Sequence, residues 1–215
     1  MHKKLGLVLV LAGALLIGGA LALYGANRVE DEKAGAAAVE TAAVLQQQIE
    51  QAQTQHMQTE VQEQPEQAAS PEPSMDAPVE DAETEPAPVA TVGDYEYLGV
   101  LSLPSLGLEL PVMADWDYDR LKLAPCRQFG SAEEDNLVIA GHNYIGHFAN
   151  LGMMKAGDSV TFTTMDGAVN TYVVAKTDII SPEDTEKVSE SGYALTLYTC
   201  TYGRQNRVTV YCERA

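Results

Sequence analysis

The chain contains the segment Thr196-Leu197-Tyr198-Thr199-Cys200, and after a connection of six residues a second run begins with Arg207-Val208-Thr209-Val210. Apolar and polar residues alternate in both runs, which is typical of β-strands with one face in a protein core. The two runs therefore predict a β-hairpin in which Cys200 and Arg207 flank the loop, on the side away from the core. Directly opposed residues of such a pair lie roughly 4.5–5.5 Å apart at Cβ. A thiol next to a guanidinium has the electropositive surroundings of a reactive cysteine.

A reactive thiol needs a base or a cationic partner, and the chain offers few histidines for this role. His2 and His56 lie outside the region that we expect to fold into a domain, which leaves His142 and His147. His142 follows the apolar run Leu137–Ala140 and a glycine, so we predict that it lies at the end of a strand. His147 is interpreted as a loop residue.

Cys200, His142 and Arg207 together could supply the parts of an acyl-transfer site. A histidine lowers the pKa of a neighbouring thiol and makes it a nucleophile, and an arginine can stabilise the oxyanion that forms when the thiolate attacks a carbonyl. Arg204 competes with Arg207 for the second role. Arg204 falls within the predicted hairpin loop, whereas a side chain on a strand is held more firmly, and this favours Arg207.

Further motifs occur in a fixed order between residue 95 and the C-terminus. They are Tyr118-Asp119-Arg120-Leu121, Asn136-Leu137-Val138-Ile139-Ala140-Gly141-His142-Asn143, Phe148-Ala149-Asn150-Leu151, Lys155-Ala156-Gly157-Asp158 and the Thr-Leu-x-Thr-Cys block with Arg207-Val208. In this order and spacing they resemble the sortases, which are membrane-anchored cysteine transpeptidases of Gram-positive bacteria. The resemblance implies a mainly β domain, a closed eight-stranded β-barrel with short helices.

The resemblance also implies the activity and its residues. The histidine, cysteine and arginine of the family correspond to His142, Cys200 and Arg207, and Thr199 carries over as a substrate-binding residue, although the alternation turns its side chain toward the core. The implied reaction cleaves a sorting signal of a secreted protein through a thioacyl-enzyme intermediate. The acyl group then passes to an amine of a cell-wall precursor or pilin. A housekeeping-like or sporulation-associated, class D-like subclass fits better than the pilin-polymerising class.

The N-terminal part of the chain predicts a membrane anchor. Residues 5–24 are twenty apolar or small residues without a charge, which is long enough to span a bilayer as a helix. Lys3 and Lys4 precede this segment and acidic residues follow it, which favours a cytoplasmic N-terminus and an extracellular catalytic domain on a single-pass protein of the cell membrane. A cleaved signal peptide is the alternative, because small residues near Ala22 and Ala26 could form a cleavage site.

Residues 25–93 are predicted to form an acidic stalk between the anchor (1–24) and the catalytic domain (94–215). The stalk contains fourteen acidic and two basic residues, and it has no aromatic residue. It cannot bury enough apolar surface to offset its ordering entropy. We expect a lone or fluctuating helix over 34–64, an extended, disordered segment over 65–88 and a spacer role for the whole. A coiled-coil dimer is the alternative. The net charge of −18 argues against binding to nucleic acid.

Strand-like runs recur through the remaining residues, and turn signals separate them. The predicted strands are 95–103, 108–114, 136–141, 159–164, 170–180, 194–200 and 207–213, with an eighth short strand at Cys126–Phe129 and short helices at 117–121 and 149–154. Too few residues are left for a parallel design with crossover helices, so an antiparallel barrel is the expected class.

Other chemistry receives less support from the sequence. Cys200 is the expected free thiol, while Cys126 and Cys212 could either pair or remain separate, with Cys212 as a small core residue. No cofactor is expected; the acidic residues Glu183, Asp184, Glu186 and Glu190 could bind calcium but equally fit a solvated loop. The alternatives to a sortase-like enzyme are a peptidoglycan L,D-transpeptidase, which needs Ser-x-Gly before its cysteine, and a non-catalytic extracellular barrel that binds a wall component or protein partner.

Overall fold

The computed structural model describes residues 2–62 and 88–215, and side chains are described for 6–55 and 88–215. Within these residues, one long helix precedes nine strands and a short second helix. Their bounds are α1 His2–Gln62, β1 Ala90–Val92, β2 Tyr95–Leu103, β3 Leu108–Met113, β4 Cys126–Phe129, β5 Leu137–Ala140, β6 Ser159–Thr164, β7 Val169–Ile180, α2 Glu186–Ser189, β8 Leu195–Cys200 and β9 Arg207–Arg214. Single 3₁₀ turns occupy Pro104–Leu106, Arg120–Lys122 and Leu151–Met153. The extended segment predicted over 65–88 lies outside the described residues, apart from its last residue.

Strands β2 to β9 form a closed barrel. The strand order is β2-β3-β4-β5-β8-β9-β7-β6, and β6 pairs again with β2 to close the ring. β1 adds to the N-terminal part of β2 outside this ring, where Val92 pairs with Tyr95. The eight strands and the closed barrel expected from the sequence are confirmed, and the predicted strand limits differ from the observed ones by one residue at most. β1 was not predicted, because three residues are too few for a visible alternation.

Not every strand pair is antiparallel, so this part of the sequence-based expectation was wrong. β3 pairs with β4 in parallel at Met113 and Cys126, and β5 pairs with β8 in parallel over four residues. Parallel neighbours need long connections, and the chain supplies them through residues 114–125 and residues 141–194. Parallel neighbours end at the same edge of the sheet, so residues that follow β5 and β8 lie at one edge.

The barrel encloses an apolar core. Its fully buried side chains include Leu101, Leu103, Leu110, Ile139, Phe148, Leu151, Phe162, Tyr172, Leu195, Leu197 and Val210. The positions of β8 and β9 that alternation assigned to the core, such as Leu195, Leu197 and Val210, are buried as expected. Close packing of these side chains holds the strand ends that carry the site in fixed positions.

Helix α1 does not stand apart from the barrel. It runs without a break from the apolar N-terminal segment through the predicted boundary at residues 24 and 25, and it packs against the barrel further on. Its buried residues share one face at a spacing of three or four positions and are Ala34, Ala38, Ala42, Leu45 and Ile49. The expected lone helix is therefore present over its described residues, but it is docked. A search for a heptad seam misses this face because three of its five residues are alanines.

Small residues let the helix approach the barrel closely. A Cβ atom on Gly35 of α1 would lie 3.3 Å from Gly146 Cα, in the loop after β5. Further along the helix, Gln46 donates a hydrogen bond to Glu109 and Gln53 donates one to the carbonyl of Gly167. The division of the chain at residues 24/25 and 93/94 remains a prediction, and β1 contributes to the sheet from within the predicted stalk.

Candidate active site

The register of three neighbouring strands aligns the candidate residues. Ala140 of β5 pairs with Tyr198 of β8 in parallel, and the N–H of Gly141 extends this pairing by donating to the Tyr198 carbonyl at 3.0 Å. His142 lies two residues after Ala140, and Cys200 lies two residues after Tyr198. Both residues therefore lie at the same edge of the sheet, in matching positions on neighbouring strands. On the other side of β8, Cys200 pairs with Arg207 of β9. The structure thus brings the three predicted residues to one edge.

Cys200 ends β8 with an exposed side chain, while the side chain before it points inward. Thr199 is only 2% exposed, and its Oγ1 has no hydrogen-bond partner among the described residues. The alternation that turned Thr199 toward the core is observed. The Thr199 side chain is therefore buried, and its role in substrate binding remains a prediction.

The two arginines near the hairpin loop differ in how they are held. The loop is closed by the N–H of Thr201, which donates to the Asn206 carbonyl at 2.8 Å. Arg204 lies inside it with a left-handed backbone (φ 59°) and an exposed side chain. Arg207 belongs to β9, is half-buried, and places its guanidinium carbon 5.2 Å from the ring centre of Tyr198. A cation over an aromatic ring is stabilised by the ring's electrons, so Arg207 is the better oriented of the two.

A glycine before His142 is required by packing. A side chain at Gly141 would overlap the ring of Phe148, which fills the space behind the strand end. His142 itself stacks on Tyr144, with ring centres 3.9 Å apart and an angle of 20° between the planes. Its Nδ1 is buried and has no hydrogen-bond partner in the part of the chain that the structure describes. The stack therefore supplies the contact that orients this imidazole.

The surroundings of His142 favour its neutral form. Burial lowers the pKa of His142 from its ordinary value of 6.5, and the positive charges of Arg204 and Lys122 act in the same direction. The carboxylates of Glu30 and Asp31 oppose this by favouring the imidazolium. The protonation of His142 thus depends on charges from α1, from the 3₁₀ turn at 120–122 and from the hairpin loop.

Two carboxylates of α1 hold the loop after β5. The hydroxyl of Tyr144 donates to Glu30 at 3.0 Å, and the backbone N–H of Ile145 donates to Asp31 at 2.7 Å. Burial and the Glu30 carboxylate raise the pKa of Tyr144 to about 12, so the phenol keeps its proton as a donor. Sequence reasoning missed these contacts. The buried face of α1 places residues 30 and 31 at the barrel, but most of its residues are alanines, which give little signal in the sequence.

The second candidate histidine lies in the same loop but is enclosed. His147 is fully buried, and neither ring nitrogen has a hydrogen-bond partner among residues 6–55 and 88–215. Burial lowers its pKa to about 4. It lies in the turn region between β5 and Leu151–Met153, as the loop interpretation expected, and its position beneath α1 separates it from solvent.

A depression adjoins the candidate site on the side of β4. It has a volume of about 480 Å³ and is lined by Ala114, Asp115, Trp116, Arg127, Gln128, Phe129 and Gly130. The hydroxyl of Tyr198 donates a short hydrogen bond to the side-chain oxygen of Gln128, which connects this wall to the ring beneath Arg207. Trp116 packs edge-on against Tyr118, with ring centres 5.0 Å apart, and also lines the depression.

The other two cysteines are free and buried, so the disulfide alternative is wrong for this structure. Burial raises the pKa of Cys126 and of Cys212 to about 12. In the connection between β7 and β8, Asp184 pairs with Lys187 at 2.8 Å and Glu183 accepts from Ser181. Within the described ranges, no three His, Cys, Asp or Glu side chains gather in a group that could bind a metal ion.

Comparison with known proteins identifies the family. The family model described as Sortase domain matches residues 101–215, more than half of the chain. The chain is similar to solved structures that include sortase C from Clostridium perfringens SM101 (22% identity, 55% of this chain and 70% of that chain, TM-score 0.47). They also include a lid mutant of sortase A from Corynebacterium diphtheriae (22%, 57% and 72%, TM-score 0.49) and sortase C-1 from Actinomyces oris (25%, 54% and 73%, TM-score 0.48). A search of curated proteins finds no match. The matched residues include His142, Cys200 and Arg207. The match shows that the chain belongs to the sortase family of cysteine transpeptidases.

Proposed function

We propose that this sortase is a membrane-anchored transpeptidase that cleaves a sorting signal of secreted proteins at Cys200 and passes the acyl group to an amine of a cell-wall precursor or pilin. The observation that carries the proposal is the shared register of His142, Cys200 and Arg207 at one edge of the barrel. Nucleophile, acid/base and electrophile converge there from three adjacent strands, on a rigid scaffold.

In the first half of the proposed reaction, the neutral imidazole of His142 takes the proton of the Cys200 thiol, and the thiolate attacks the carbonyl carbon of the scissile peptide bond. The electron pair of the carbonyl moves to its oxygen, and the Arg207 guanidinium stabilises the negative charge by donating hydrogen bonds. The tetrahedral intermediate collapses, the C–N bond breaks, and the leaving amine takes a proton from the His142 imidazolium. A thioester on Cys200 remains.

In the second half, an amine acceptor attacks the thioester carbonyl. Neutral His142 accepts the proton that the amine loses, the new amide bond forms, and Cys200 leaves as a thiolate. Burial and the facing charge of Arg204 lower the pKa of His142, so the imidazole releases its proton readily in the first half. The depression lined by Trp116 and Gln128 is linked to Tyr198 by the hydrogen bond of Gln128 and offers a surface for an extended sorting peptide.

The membrane anchor in this proposal is the N-terminal part of α1. Its most apolar 18-residue window has a mean hydropathy of 2.5 and is 0% buried in the protein. Asp31 lies seven positions after Tyr24, a rise of about 10 Å along a helix. Because Asp31 already contacts the loop that carries His142, the docked helix would hold the site close to the outer membrane surface. A spacer would instead carry it away.

The proposal is tested by trapping the acyl donor. The full chain in detergent micelles is incubated with a sorting-signal peptide, and the acylated residue is located by mass spectrometry. We expect an adduct on Cys200 and none in Cys200→Ala, which should lose both cleavage and transfer while its circular dichroism is unchanged. Cys126→Ala and Cys212→Ala serve as controls and should retain turnover. Activity in Cys200→Ala would overturn the proposed role of Cys200, and peptide binding without adduct or turnover in the wild-type protein would favour the non-catalytic alternative.

A further inference from the structure

Helix α1 reaches the candidate acid/base through one side chain. Glu30 accepts a hydrogen bond from the Tyr144 hydroxyl, and the Tyr144 ring stacks on His142 with ring centres 3.9 Å apart. The adjacent Asp31 accepts from the N–H of Ile145. Residues separated by 114 positions in the chain are thus joined around the loop that follows β5.

The docked face of α1 keeps these two carboxylates in place. Leu45 is fully buried and Ile49 is 5% exposed against the outer side of the barrel, where they pack with Tyr97, Val100 and Met113. Closer to the site, Gly35 lies against Gly146 with almost no space between the backbones. The loop therefore sits between the end of β5 and the helix, and each side limits its movement.

The loop has little else to orient the imidazole. His142 Nδ1 lacks a hydrogen-bond partner among the described residues, so no polar contact fixes the ring from that side. A stacked ring restrains rotation only if the second ring is itself held. The Tyr144 hydroxyl is fixed by Glu30, and a misplacement of 1 Å in a catalytic group can cost roughly 10²-fold in rate.

We propose that α1 is an integral part of the catalytic centre and that Glu30 is a positioning residue, which holds Tyr144 against His142 and so places the imidazole for proton transfer. This inference rests on the proposed acid/base role of His142. It predicts that the segment before the barrel contributes to turnover through contact with the site, in addition to any role in membrane attachment.

The charges around His142 allow a readout that a purely structural role would not give. The groups that face the imidazole are Glu30 and Asp31 of α1, Lys122 of the 3₁₀ turn, Arg204 of the hairpin loop, and Tyr144 and His147 of its own loop. Glu30 favours the imidazolium, so Glu30→Gln should lower the pKa of His142. Tyr144→Phe keeps the stacked ring and the Glu30 charge, and it should change that pKa less.

The experiment measures kcat and KM on a sorting-signal peptide with the full chain in micelles, together with an NMR titration of His142. We expect Glu30→Ala and Tyr144→Phe to lower kcat by about tenfold, within the loss that misplacement can cause, and to leave KM within about twofold. Glu32→Gln is the matched control, because Glu32 lies on the exposed side of the same turn and pairs with Arg28. It should behave like the wild type in both measurements.

Undocking the helix provides a second route to the same effect. Leu45→Asp places a charge in the buried contact, and Val39→Asp places it on the exposed side of α1. Leu45→Asp should lower kcat as Glu30→Ala does, and combining the two should give no further loss. Val39→Asp should have no effect.

The failure of this inference differs from the failure of the proposed function. If Cys200→Ala is inactive but Glu30→Ala and Tyr144→Phe keep wild-type kcat and Glu30→Gln leaves the His142 titration unchanged, the positioning role is wrong and the transpeptidase proposal stands. If Cys200→Ala remains active, the proposed function itself is wrong. Independent losses in Glu30→Ala and Leu45→Asp that multiply in the double variant would also overturn the positioning role.

Discussion

Cys200 and Arg207 face each other as the last pair of the β8–β9 hairpin, and Arg207 is held there by its contact with the Tyr198 ring. The pairing makes the guanidinium a fixed neighbour of the thiol. By contrast, Arg204 lies in the exposed loop three residues earlier. This difference in position leads to the first prediction.

Arg207→Ala should lower kcat/KM on a sorting-signal peptide by about 10²–10³, the usual loss when one oxyanion donor is removed. Arg207→Lys should recover only part of the activity, because lysine keeps the charge but lacks the planar fork. Arg204→Ala is the matched control and should stay within a few-fold of the wild type, with folding of all three checked by circular dichroism. A dead Arg204→Ala together with a nearly active Arg207→Ala would move the electrophilic role into the loop.

Thiol reactivity should distinguish the three cysteines. Cys200 is exposed, whereas Cys126 and Cys212 are fully buried and burial raises the pKa of each to about 12. Since the thiolate is the reactive form, iodoacetamide at neutral pH should alkylate only Cys200 in the folded protein and all three after unfolding in urea. Mass spectrometry of tryptic peptides gives the result. Rapid labelling of Cys212 in the folded state would contradict the observed core.

His147 should make the fold sensitive to acid. Its folded pKa of about 4 lies below its ordinary value of 6.5, so between these values the unfolded state binds more protons than the folded state. The free energy of unfolding therefore falls as the pH decreases through this window, by about 3 kcal/mol at most. His147→Phe should lose this part of the pH dependence.

The measurement is urea unfolding of wild type and His147→Phe near pH 7 and near pH 4.5. Comparing the change between the two pH values within each protein removes any difference in their absolute stability. His142→Gln is a useful control. Burial also lowers the pKa of His142, so in this variant too the free energy of unfolding should fall less between pH 7 and pH 4.5. An unchanged pH dependence in His147→Phe would show that this histidine does not remain neutral in the folded state.

The docking of α1 can be tested without reference to catalysis. A site for a sequence-specific protease is inserted between residues 70 and 71, and the full chain is cleaved in micelles. The barrel should remain associated with α1 in the wild type, because Ala34, Ala38, Ala42, Leu45 and Ile49 are buried between them. It should separate in Leu45→Asp, since an unpaired buried charge is costly.

Val39→Asp is the control for this cleavage experiment, because the Val39 side chain is 65% exposed. The cleaved Val39→Asp protein should stay associated as the wild type does. Size-exclusion chromatography separates the two outcomes. Separation of the cleaved wild-type protein would return α1 to the role of a lone spacer.

Local patterns in the chain were enough to predict most secondary-structure elements of this protein. An alternation of period two is a property of a few neighbouring residues, so the hairpin, the Cys200–Arg207 pair and the strand limits could be derived from the chain. The motifs around His142 and Cys200 indicated the family, and the apolar segment indicated a possible anchor. Each of these conclusions needed only residues that are close in the chain.

The pairing of β5 with β8 and the docking of α1 join segments that are far apart in the chain, and they could be read only from the tertiary structure. The parallel pairing of β5 with β8 brings His142 level with Cys200, and this register follows from barrel closure and core packing, which no local pattern encodes. The docking of α1 depends on alanines whose burial has little signature in sequence, because a small side chain suits both a solvent-exposed helix and a close contact. The shape of the barrel decides that these alanines form a close contact, and this contact brings Glu30 to Tyr144.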